Sequence, residues 1–326
     1  MHADMMVDAL FPTEEIGPEF DPNGIAPAEK RERYVVIEEI RMRKDQPWTK
    51  VYNATNHAMY TNHPYKRDVI GTPEIISQVS QEEIMNYYRT FYSPQNVTTI
   101  IVGEFDFDEV LAKVQKEFNW GDRPTPPERN IKPDKPVQET VYIENEANIN
   151  SSFMMFGYLG VPARDLKNLI ALEMLAIILG EGTSSRLYVN LVENIEENIF
   201  NMIDAENYSF RDGSNFFVQA NFNSQYKDKA VELIKAEIEK LKDNITEREL
   251  NKAKKKLKSR FACEVETVSE IGESIGYYMT VCDDLDLAEQ YIPTCESITA
   301  EDLQNVAKEF LNINNAVISI LKPKSS

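Results

Sequence analysis

Hydrophobic and polar positions along this chain repeat with two different periods. Residues 31–47, "RERYVVIEEIRMRKDQP", place apolar side chains three and four apart and then reach a proline. That spacing predicts one amphipathic helix that stops there. Helical spacing recurs after Ser80, over 166–179, 226–242 and 248–263, and after Thr299. β-branched and alternating runs predict strands at 97–102 ("VTTIIV"), 139–147, 151–160, near 198–206, at 214–223 and at 316–321 ("AVISIL"). The run "LIALEMLAIILG" is apolar all round and holds one acid, Glu173. At twelve residues it is too short to cross a bilayer and reads as a buried helix.

Residues 119–138 break the pattern with five prolines and no apolar period, which predicts a linker. The chain is therefore expected to divide into 1–122, a linker core at 123–135, and 136–326. The two parts share a pattern. Ser80 to Glu83 and Thr299 to Asp302 both read as capping boxes, 219 positions apart. Each opens an amphipathic helix, then an aromatic-rich turn, an Asn and a β-branched strand. Similarity at a fixed offset predicts a duplicated domain. The later copy has about 84 residues (136–219) ahead of the point that aligns with residue 1, and the earlier copy has no counterpart to them. The expected fold class is α+β: two related domains, each a mostly antiparallel sheet with helices packed on one face, the first domain incomplete.

Composition narrows the partners. The net charge of −19 and a pI near 4.7 argue against nucleic-acid phosphates as partners. No membrane segment is expected. The first fifteen residues lack a basic end followed by an apolar run, so they do not read as a secretory leader. Three scattered cysteines, Cys263, Cys282 and Cys295, suit a reducing compartment, so a cytoplasmic location is expected.

Glu32 and Glu39 lie seven residues apart, nearly two turns, and so share a helix face with Val35 and Val36. Acids beside apolar positions imply either a cation or a solvated edge, where Glu39 would pair with Arg43. The trio His63-Pro64-Tyr65 reads as a structural loop, and His57 as a surface loop residue. Gly180, Gly182, Ser184, Ser185 and Arg186 form a turn that starts a helix, with Thr183 or Ser184 as cap. "KAKKKLK" at 252–258 reads as a solvated helix face.

Three stretches, "ERYVVIEEIRM", "NHPYKRDVIGTPEIISQVSQEEIMNYYRTFYSPQNVTTIIVGEFDFDEV" and "ILGEGTSSRLY", together resemble the M16 metallopeptidases (the pitrilysin and insulinase group) over essentially the whole chain. The nearest likeness is to the shorter, processing-peptidase-like bacterial members. The resemblance implies a zinc held by two histidines of an H-x-x-E-H helix and by a distal glutamate. The distal pattern E-R-x-V-x-x-x-E falls on Glu32 to Glu39 here. It therefore implies Glu39 as the distal zinc-ligand position, with Glu32 supporting the ligand from one face-turn earlier. The only histidines are His2, His57 and His63, and no H-x-x-E-H occurs. The repeat offset places that motif about forty residues ahead of Met1. Zinc is thus expected in the family but not held by this chain alone, which is expected to be inactive by itself. Expected partners are peptide substrates once an H-x-x-E-H-bearing chain completes the site, and homo- or hetero-oligomers. Alternatively the chain is a non-catalytic scaffold subunit of a heteromeric M16 assembly. Where the family carries a substrate-contacting Arg and Tyr after "SSRL", this chain has Val192 and Ile199 or Phe200.

Overall fold

The computed structural model describes residues 2–24 and 31–324. They form two compact units, Met1–Asp45 with Asp68–Ile131, and Gln46–Arg67 with Lys132–Ser326.

The second unit is built on a sheet of β1 (Val141–Ala147), β2 (Ser152–Leu159), β3 (Phe200–Phe210), β4 (Gly213–Phe222) and β5 (Val317–Pro323). The spatial order is β1-β5-β2-β4-β3. β1 and β5 run parallel, and every other neighbouring pair is antiparallel. The sheet is thus mostly antiparallel, as the alternating runs predict. The period-2 pattern assigns side chains to opposite faces. On one face Met154, Phe156 and Tyr158 join the main core with the helix Leu166–Leu179. That helix is apolar on all sides because core surrounds it: the helices Glu247–Cys263, Asp286–Ser297 and Ala300–Phe310 pack over it.

The opposite face carries Met155, Phe217, Val317 and Leu321. It is covered by the helix Pro47–Met59, which Pro47 opens at a first-turn position. Val51, Thr55 and Met59 recur every four residues and are buried in this layer. The approach is close enough to need Gly157. A Cβ there would stand 2.5 Å from both Thr55 Cγ2 and Met59 Sδ. Residues 46–67 therefore belong to the second unit, although the linker-based division groups them with 1–122. Their apolar stripe finds its partners on this sheet, so it packs there regardless of chain order.

In the first unit the helices Glu32–Asp45 and Gln81–Phe91 form as the periods predict, and the structure adds Pro73–Gln78 and Phe107–Glu117. Both capping boxes are present, at Ser80–Glu83 and Thr299–Asp302. The expected strand at 97–102 is a correction: these residues hold no strand. A strand exists through hydrogen bonds to a neighbour, and among the described residues of this unit no other strand stands ready to pair. No described helix is long and apolar enough to cross a membrane.

Gly180, at the C-terminus of the Leu166 helix, has its Cβ direction 2.0 Å from the Ala205 nitrogen of β3. Gly180→Ala must push helix and sheet apart. We expect it to destabilise the second unit by about 3 kcal/mol, read from its urea unfolding midpoint. An unchanged midpoint would show that the seam yields freely.

Candidate functional site

The helix Glu32–Asp45 is fixed by one buried cation. The Arg33 guanidinium donates to three backbone carbonyls: Gly17 (3.3 Å), Ile76 (2.5 Å) and Val79 (2.8 Å). Burial pulls its pKa below the ordinary value, and Glu19 opposes that shift. Ile37 and Ile40 are buried on the same side of the helix. The opposite stripe, Glu32, Val35, Glu39 and Met42, is exposed. The two acids thus share an open face with two bare apolar side chains. Arg43 forms its described ion pair with Asp68 at 3.9 Å rather than with Glu39.

This face fits only part of a zinc site. Carboxylates give oxygen donors, whereas zinc sites of this type draw on imidazole or thiolate as well. Among the described residues no cluster of three or more His, Cys, Asp or Glu could hold a metal. His57 is exposed on the Pro47 helix, not in a loop. His63 is buried and committed. Its Nδ1 accepts from the Tyr65 amide at 3.2 Å, and its Nε2 meets Asp212 at 3.3 Å. Asp134, from the proline-rich segment, accepts the amides of Thr61, Asn62 and His63. Tyr60 donates to Asn215, which in turn donates to Asn56 at 3.1 Å. The His-Pro-Tyr trio thus fastens the Pro47 helix to the β3–β4 hairpin, a structural role.

The Gly180–Arg186 turn does open a short helix, Arg186–Tyr188. The cap position is Ser185 rather than Thr183 or Ser184, and its hydroxyl makes no capping bond. Arg186 instead forks onto Glu249, at 2.6 and 2.9 Å, and reaches the Asn244 carbonyl. Burial pushes the Glu249 carboxyl up, but Arg186 and Thr246 outweigh it and bring it to about 2. Val192 is half-buried against the core, and Ile199 and Phe200 are buried in it. Lysines of the 252–258 run are paired rather than merely solvated: Lys256 with Glu181 at 2.7 Å, and Lys258 with Glu296.

One group escapes a reading by pattern. Glu173, on the otherwise apolar Leu166 helix, faces a cavity of about 360 Å³ also lined by Arg260, Tyr277, Tyr278 and Tyr291. Burial raises its carboxyl to about 7, against the 3.1 Å hydrogen bond from Tyr291. The signal for it in the sequence was an acid inside an apolar run.

Comparison with known proteins bears on the face described above. The family model "Peptidase M16 inactive domain" matches residues 78–257, more than half of the chain. The chain belongs to the peptidase M16 family. This M16 chain is 23% identical over 320 residues to an uncharacterized zinc protease of Rickettsia felis, covering 97% of itself and 72% of that protein. It is 28% identical over 299 residues to the zinc protease PqqE of Helicobacter pylori, covering 90% of itself and 66% of that relative. Among solved structures, a protease from Helicobacter pylori matches with a TM-score of 0.79 at 27% identity, over 90% of this chain and 71% of that one. The peptidase M16 inactive domain from Pseudomonas fluorescens shares the fold, with a TM-score of 0.84 at 17% identity over 99% of this chain and 74% of that one.

The raised Glu173 makes this M16 chain sensitive to pH. The folded state keeps a proton that the unfolded chain releases above the ordinary value of 4.5. Stability from this group is complete below that value and falls as pH climbs towards 7, by about 3 kcal/mol in all. Glu173→Gln retains an acceptor for Tyr291 and should flatten the decline. Urea melts of both proteins at pH 5 and pH 8 check this, and parallel losses in the two would refute it.

Proposed function

We propose that this chain contributes the distal-glutamate face and the second domain of an M16-type zinc metalloendopeptidase that hydrolyses peptides. The observation that carries the reading is the exposed pairing of Glu32 and Glu39 on a helix anchored by Arg33. An anchored helix presents its carboxylates in a fixed direction, which a metal ligand requires. Zinc proteases among its relatives support the same reading. The described residues do not fit a whole zinc site, so the H-x-x-E-H segment is proposed to come from outside them. In that arrangement Glu39 gives one oxygen donor, and Glu32 orients the site from behind.

A second reading, a non-catalytic scaffold subunit, has one observation in its favour. Val192, Ile199 and Phe200 turn into the core at positions where the family carries its Arg and Tyr. Such side chains offer nothing to a bound peptide.

The purified chain alone should bind no stoichiometric zinc and cleave no casein. Once joined to a segment bearing H-x-x-E-H it should gain both. Glu39→Ala in the joined protein should then weaken zinc at least a hundredfold, and Glu32→Gln about ten- to a hundredfold. Metal analysis with chelator-sensitive casein cleavage reads each outcome. Full zinc occupancy with Glu39→Ala would sink the reading, and zinc binding without cleavage would favour the scaffold.

A further inference from the structure

We propose that the cavity at Glu173 binds a primary alkylammonium ion, its ammonium on the Glu173 carboxyl and its alkyl chain between the tyrosines and the Leu166 helix. The cavity lies within the second unit, and its volume of about 360 Å³ is in the range of small-ligand pockets. Leu166, Leu169 and Glu173 line it from one face of their helix, so an apolar wall leads to the acid. Tyr277, Tyr278 and Tyr291 supply the facing rings. Those rings are held in place. Tyr291 stacks on Phe261 with centroids 5.0 Å apart, and Tyr277 meets Tyr278 edge-on at 5.4 Å. The Tyr277 hydroxyl lies 2.9 Å from the Ser209 Oγ. A methylene chain packs on such a wall, and an ammonium is attracted to aromatic faces.

Charge selects a cation. The Glu173 Oε2 accepts from Tyr291, and among the described residues nothing bonds its Oε1. Arg260 and Glu264 face the cavity from the end of the Glu247 helix, and Glu270 and Glu273 from the helix Val268–Tyr277. Tyr278 and Cys282 close it from the turn that follows. Four acids thus stand against one cation, and Glu181 already pairs with Arg260 at 2.8 and 3.0 Å. An anion would meet those acids with no unpaired cation to answer it. Among the described residues no three acids gather closely enough to hold a metal ion. An organic cation with an apolar body fits both walls. Glu173 keeps its proton up to about 7 in the free protein, with burial as the main cause. Burial also raises Glu264, against Arg260, and keeps Cys282 and the three tyrosines neutral. As the ammonium arrives, the Glu173 carboxyl releases that proton to solvent and its Oε1 accepts an ammonium N–H. The apparent affinity then follows the ionised fraction of Glu173 and rises with pH. None of this rests on the proposed peptidase function.

Calorimetric and NMR titration of the full-length chain with n-pentylamine tests the site. At pH 7.5 it should bind one equivalent with a Kd of about 1 mM or tighter, and neutral n-pentanol roughly tenfold more weakly or less. Between pH 7.5 and pH 5.5 the affinity for the amine should fall about tenfold or more. The binding heat at pH 6 should vary with the ionisation enthalpy of the buffer, as proton release requires. Glu173→Gln keeps an acceptor for Tyr291 and should weaken the amine about tenfold or more, with the pH dependence gone. Ser274→Trp fills the cavity from its wall, leaves the carboxyl in place and should abolish binding. Nα-acetyl-lysine methylamide separates the two sources of the chemistry: its binding marks a lysine side chain of a peptide, and its refusal beside bound pentylamine marks a free amine. Equal uptake by the wild type and Glu173→Gln would reveal a general attraction to an acidic chain and overturn the proposal. Equal affinity for pentanol, a flat pH profile, or binding that survives Ser274→Trp would each overturn it as well.

Discussion

A strand at the centre of a sheet is held by hydrogen bonds on both edges, as β5, β2 and β4 are in the second unit. β5 enters between β1 and β2 late in the sequence, and its insertion closes the sheet of the second unit. Residues 141–147 and 152–159 are neighbours in sequence yet are separated in space by a strand more than 150 residues away. Ile318 and Ile320 of β5 join the main core on one face, and its Val317 and Leu321 meet the layer under the Pro47 helix on the other. The equivalent segment of the first unit, 97–102, has the same β-branched composition and no strand partner among the described residues. Composition gives a tendency to be extended, and pairing turns the tendency into structure.

The same contrast governs charge. Arg33 is buried as a cation because three carbonyls from neighbouring segments meet it. Glu32 and Glu39, on the other side of that helix, remain in solvent. Burying either without a cation would carry a heavy penalty, so their face stays open until something positive or hydrogen-bonding covers it. Glu173 shows the other outcome. Placed inside the second core with one tyrosine as partner, it holds its proton to near neutrality instead of ionising.

Much of this was legible in the residues. The Glu32 helix ends near its proline, the two capping boxes form, and all five strands of the second unit fall within a few residues of the alternating runs. Local physics decides these features: a hydroxyl reaching an amide three residues on, or side chains alternating along an extended backbone. Other assignments needed contacts that no local pattern contains. The Pro47 helix packs on the sheet of the second unit, where Gly157 leaves room for Thr55 and Met59. His63 sits in a buried network through Asp212 and Asp134, each some 70 to 150 residues away.

The sequence by itself determined the α+β class, the family resemblance and the shared face of Glu32 and Glu39, because each depends on spacing along one chain. Only the tertiary structure decided that the Pro47 helix covers the sheet of the second unit, that 97–102 does not become a strand, and that the acid-bearing stripe is open. Those outcomes depend on which surfaces find partners. A partner's presence is a property of the folded whole, and no window of residues can encode it alone.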